Sequence, residues 1–161
     1  MIGKHRGPGV EPVPQPHLIP ERPPMNRQFL LVATRVWATE ILVSGVNFFL
    51  LMQLVYEPLV GELTAHQIGM STRIVYIFGF AYLLQRYGPQ HSRRDLWHAG
   101  VLWLTLTLAF EWGGSLLVLR RPVDEILVGW QVWNGYIWPF VLLTYLCANP
   151  LVGYWLGSRK P

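Results

Sequence analysis

Four apolar blocks, each near the length of a membrane crossing, leave this chain few folds to choose from. The first is VWATEILVSGVNFFLLMQLVY, Val36 to Tyr56. The second runs from about Ser71 to Leu84, the third from Leu96 to Leu119 and the fourth from Tyr136 to Leu156. A helix needs about 20 mostly apolar residues to cross the hydrocarbon core. The second block reaches that length only if Ala65 to Met70 begin its helix, and Tyr76, Phe78, Phe80 and Tyr82 support it as a span. Charged residues make up 14% of the chain, against about 25% in soluble domains. The expected fold is therefore an all-α membrane protein with four transmembrane helices.

Lysine and arginine placement sets the orientation, because cytoplasmic loops hold the excess. Lys4, Arg6, Arg22 and Arg27 precede the first span, Arg86, Arg93 and Arg94 lie in the second loop, and Arg159 and Lys160 follow the last span. The opposite side carries only Arg120 and Arg121. Both termini are thus expected in the cytoplasm, in a multi-pass membrane protein. The net charge of +4 is explained by topology and anionic lipid, and calls for no nucleic-acid partner. The single Cys147 has no partner in the chain for an internal disulfide.

Residues 1–27 read as a separate cytoplasmic arm and 28–161 as the transmembrane domain. Seven prolines between Pro8 and Pro24 favour an extended polyproline course, since proline fixes φ and supplies no donor. Such a segment is either a loose tail or an arm that lies along a partner subunit through residues 8–24. After the third block, Pro122 suits the first turn of a helix, with Asp124 and Glu125 favourable at its positive end. Trp130 and Trp133 are residues of the membrane interface, and Asn134-Gly135 is a helix stop. These features predict a short interfacial helix before the fourth span, with a re-entrant segment as the alternative.

Polar residues inside the blocks are the candidate chemistry. Glu40, Ser44 and Asn47 share one helical face, as do Thr107, Glu111 and Gly114, and Asn134, Trp138, Tyr145 and Asn149 lie close to one line. A charge facing lipid costs several kcal/mol, so these faces should point inward. At 1.5 Å per residue, Glu111 lies about 12 Å in from the outer end of its span and Arg73 about 5 Å in from the same side. They are expected to pair. Glu40 is expected near the cytoplasmic end, with Arg35 and Arg86 as candidate partners. The seam Glu40, Asn47, Arg73 and Glu111 reads as structural glue, as an ion or proton path, or as acid–base groups acting on a lipid.

Catalytic motifs are missing: the chain has no glycine-rich phosphate loop, HExxH, CxxC or GxSxG. His66 and His98 fall at opposite ends of the bundle and cannot ligate one iron together. No cofactor is expected, although a single pigment or metal on either histidine stays open. Trp37, Trp97, Trp130, Trp133 and Trp155 fall near span ends as anchors, whereas Trp103 and Trp112 lie deeper, where they can pack on a helix or a flat ligand. His66, Trp103, Trp112, Trp130, Trp133 and Trp138 are the candidate interfacial or partner contacts.

Three stretches together, LTAHQIG (63–69), LTLTLAFEWGG (104–114) and NGYIWPFVLL (134–143), resemble a family of small bacterial four-span membrane proteins with no established activity. The resemblance covers roughly Asn47 to Pro150 and rests on His66, Gln67, Phe110, Glu111, Gly135, Trp138 and Pro150. Gly129-Trp130-Gln131 stands where the family usually has Asp-Tyr-Asn, and Tyr136 where an arginine follows the glycine. If those polar residues serve an activity, this chain has kept the scaffold without it. The resemblance implies the bacterial cytoplasmic (inner) membrane. The first expectation is a non-enzymatic accessory or assembly subunit of a larger membrane complex there, an energy-transducing one among the candidates, held by lipids and by Trp-rich faces against other subunits. The alternative is a small channel or proton-coupled transporter using Glu111. The third is a membrane enzyme with Glu111 and His66 as acid and base.

Overall fold

The computed structural model describes residues 25–157. The proline-rich arm, including residues 8–24, lies outside the described residues, as do Arg159 and Lys160. Helix α1 spans Arg27–Val60, α2 Glu62–Tyr87, α3 Arg93–Val118, a short α4 Val123–Val128, and α5 Trp138–Gly157. Among the described residues there is no strand, and α1, α2, α3 and α5 are each long and apolar enough to cross a membrane. Lipid offers no partners for backbone amides, so a helix, which satisfies them internally, is the form such segments take.

Three helices start earlier than the apolar blocks suggest, for local reasons. Asn26 caps α1 by accepting the Phe29 N–H at 3.1 Å, which carries the helix back to Arg27. At Gly61 a φ of 81° turns the chain, and Glu62 enters α2 at its positive end. Helix α3 begins on a reciprocal cap, in which Ser92 and Asp95 satisfy each other's backbone N–H.

The spans form a ring. Helices α1 and α5 each pack on α2 and α3, which places α1 opposite α5 and α2 opposite α3 across the bundle axis. One end is tightly closed. Asn26 donates its backbone N–H to Asp95 at 3.0 Å and its side-chain amide to the Gln90 carbonyl at 2.7 Å, clasping the start of α1 to the α2–α3 loop. Phe29 stacks on His91 in the same loop, centroids 4.5 Å apart. Phe29, Ala33, Ala81, Leu84, Ala99 and Trp103 fill this end and are essentially inaccessible. Trp103 donates to the Ala33 carbonyl at 2.9 Å and Trp37 to the Thr107 hydroxyl at 2.9 Å, so both indole donors are met. Pro150 lacks the N–H that would reach the Leu146 carbonyl. That carbonyl faces Gly100, where any Cβ would collide with it. Gly100 thereby lets α3 and α5 meet backbone to backbone.

The other end is looser. Helix α1 is π-helical over Asn47–Tyr56 and α3 over Gly114–Val118. In α1 the wider turn brings Asn47 and Met52, five residues apart, to the same point on α2. Asn47 donates to the Gly69 carbonyl at 3.0 Å, and Met52 packs where a Cβ on Gly69 would be 2.9 Å from its sulfur. An α-helix of 3.6 residues per turn would point these two side chains in different directions. Gln67 ties α2 to the turn before α5 by donating to the Gly135 carbonyl at 3.0 Å.

Candidate functional site

Each of the spans sends at least one polar side chain to the axis where the two diagonals cross. Arg73 from α2 is at the centre. Its Nη1 donates to Glu111 Oε1 of α3 at 3.2 Å, its Nη2 donates to the Tyr145 hydroxyl of α5 at 3.0 Å, and its Nε faces Glu40 Oε1 of α1 at 3.6 Å. Tyr145 in turn donates to Glu40 Oε2, and Ser44 donates to Glu40 Oε1 at 2.5 Å. Since Ser44 gives its proton to Glu40, the Tyr76 hydroxyl 3.1 Å away donates to Ser44. The guanidinium also lies over the Trp138 ring, 5.1 Å from its centroid, and 5.6 Å from that of Tyr145. A buried charge is tolerated only when paired and hydrogen-bonded, and this network supplies both.

Ser44, Arg73 and Glu111 of this cluster form the floor of a cleft of about 830 Å³ between α1, α2, α3 and α4, with Glu40 and Tyr145 behind them. Its walls are the π-helical parts of α1 and α3 and the aromatic rings of Phe48, Phe110, Trp112, Trp130 and Tyr136. Side-chain exposure differs sharply across the cluster: Glu40 is 0% exposed and Arg73 6%, while Glu111 is 36% exposed. Glu111 is thus the ionisable member that the cleft can reach. His66 stands on the wall, edge to face with Tyr136 at 5.0 Å. Its Nε2 has no hydrogen-bond partner. Among the described residues, no three His, Cys, Asp or Glu side chains gather to hold a metal. His98 lies outside the cleft lining.

Several sequence expectations change. Glu40 does not meet Arg35 or Arg86, both of which are exposed. Because α1 starts at Arg27, Glu40 is about 20 Å along the helix and level with Arg73. Trp103 is not an interfacial or partner contact: it is 0% exposed, its indole N–H satisfied by Ala33. Trp138 is likewise buried, beneath Arg73. Trp112 and Trp130 line the cleft, and Trp133 is 81% exposed on the turn before α5. Asn47 belongs to the α1–α2 contact and not to the charged cluster. Of the aligned polar residues, Asn149 is buried toward the closed end and Asn134 is exposed in the turn. The groups missed at the site are the hydroxyls of Tyr145 and Tyr76. The signal for Tyr145 was its place on the Trp138 face, whereas Tyr76 reads as one more aromatic of the span.

Compared with protein-family models, with curated proteins and with solved structures, the chain matches none.

Proposed function

We propose that this chain is a non-enzymatic, multi-pass protein of the bacterial cytoplasmic membrane that binds an amphipathic small molecule in the cleft. The observation that carries this reading is the cleft itself, aromatic-walled and ending on Arg73 and Glu111. Ligand sites are typically concave, about 300–1,000 Å³, mostly apolar, and supplied with few convergent polar groups. An intramembrane ionisable residue is by default a functional candidate. Arg27, Arg86, Arg93 and Arg94 lie at the closed end, which supports placing that end in the cytoplasm. The cleft then opens toward the opposite face, with α4 lying along the membrane surface beside it. A continuous pore has less support, because Trp103 and the Trp37–Thr107 contact fill the axis beyond the cluster. An acid–base enzyme has less support too, since Glu111 is held by Arg73 and His66 packs on Tyr136.

The test is to purify the full chain in mild detergent and extract its bound lipid-soluble molecules for mass spectrometry. A variant with a blocked cleft serves as reference. Gly45 lines the cleft and has open space around it, so Gly45→Trp fills the site without striking backbone. The wild type should carry a stoichiometric compound that Gly45→Trp lacks. Identical extracts from the two proteins would remove the reading. Trp133, at 81% exposure beside Val132 on the turn, favours a second role as a subunit with a partner over that turn. In that case Trp133→Ser should shift the native complex to a smaller size on a native gel.

A further inference from the structure

The occupant of the cleft can be narrowed by the charges and rings that line it, granted that the cleft binds a ligand as proposed above. Its lining carries the carboxylates of Glu57, Glu62, Glu111 and Glu125 against the guanidinium groups of Arg73 and Arg121, with His66 on the wall and Glu40 directly behind the floor. With its carboxylates ionised, the set is formally negative. The arginine on the floor is no free anion receptor. Its Nη1 and Nη2 are directed at Glu111 and Tyr145, its Nε faces Glu40, and its side chain is 6% exposed. An anionic ligand would have to displace Glu111 and pass the acidic rim. Glu111, by contrast, is 36% exposed. Arg73 engages its Oε1, and Oε2 has no hydrogen bond among the described residues.

The walls fit the same ligand. Phe48, Phe110, Trp112, Trp130, Tyr136 and Trp138 line the cleft, and aromatic faces attract cations most strongly where water is excluded. The molecule already holds one cation this way, with the Arg73 guanidinium 5.1 Å from the Trp138 centroid. A neutral lipid tail would satisfy the rings but leave the negative excess of the lining without a counter-charge. We infer that the cleft takes a lipophilic organic cation, an amine or quaternary ammonium on an apolar body, with its charge against Glu111 and its body between the aromatic walls.

Equilibrium binding of radiolabelled tetraphenylphosphonium to the purified full chain in an uncharged detergent tests this, with tetraphenylborate as the anion of the same shape. The expected result is saturable phosphonium binding that borate does not displace and that Gly45→Trp abolishes. Glu111→Gln should weaken it by roughly tenfold, the loss of one charge pair in a low-dielectric site. If Glu111→Gln does not fold, Glu62→Gln with Glu125→Gln serves instead. Both residues are exposed and outside the cluster, and weakening by roughly threefold is expected through the long-range field. Saturable borate binding in preference to phosphonium, still sensitive to Gly45→Trp, would overturn the cation inference while preserving the cleft as a site. No saturable binding of either ion, or binding indifferent to Gly45→Trp, would overturn both.

Discussion

The two ends of the bundle are built from the same helices by opposite means. At the closed end, small residues let the helices touch: Gly100 meets the Leu146 carbonyl, and Ala33, Ala81 and Ala99 are fully buried around Trp103. At the open end the helices carry π-helical stretches, and Gly45, Gly113 and Gly114 have open space where a side chain would stand. Gly100 therefore serves contact, whereas Gly45, Gly113 and Gly114 leave vacancy beside the cleft. In lipid, helix association depends on packing and hydrogen bonds more than on the hydrophobic effect. The closed end thus supplies cohesion, and the open end is free to hold something else. The Glu40–Arg73–Glu111–Tyr145 cluster marks the boundary between them.

Substitutions can break this contrast in order of effect. Arg73→Leu should be the most damaging, because it leaves Glu40 buried without a counter-charge. A loss of about 3–5 kcal/mol is expected, read as aggregation on size exclusion or a collapse of the thermal transition in detergent. Adding Glu40→Gln to Arg73→Leu should recover part of that loss, and no recovery would deny that the pair is electrostatic. Next comes Gly100→Val, which drives a side chain into backbone and should cost on the order of 3 kcal/mol. Gly45→Trp, a far larger change at the open end, should leave the melting temperature close to wild type. Equal damage from both would abolish the distinction between the ends.

Smaller effects sharpen the contrast. Trp103→Phe removes the donor to the Ala33 carbonyl inside the closed end and should cost about 1–3 kcal/mol. The same exchange at Trp112, half-buried on the cleft wall, should cost well under about 1 kcal/mol. Glu111→Gln should lower stability by about 1 kcal/mol or less, because its carboxylate is partly solvated and Arg73 keeps Glu40. Glu40→Gln should cost several times more. Matched thermal melts of these variants would rank them, and a larger loss at Glu111 than at Glu40 would contradict the assigned depths.

Chain composition and block length were enough to establish helices that can cross a membrane. Rise per residue put Arg73 and Glu111 at levels where they can meet, and they lie 3.2 Å apart. The level of Glu40 was misjudged because the apolar block begins at Val36, whereas the Asn26 cap starts the helix at Arg27. An apolar run shows what lipid must cover and leaves out polar residues that continue the helix beyond it. Helical spacing likewise shows which residues share a face, but not which helix that face meets. That choice follows from the ring order, with α1 across from α5, and it brings Tyr145 to Glu40 over 105 residues of separation. The cleft depends on still less local causes. Its walls include π-helical turns of α1 and α3, and the contacts of Asn47 and Met52 with Gly69 exist only once α1 and α2 have packed.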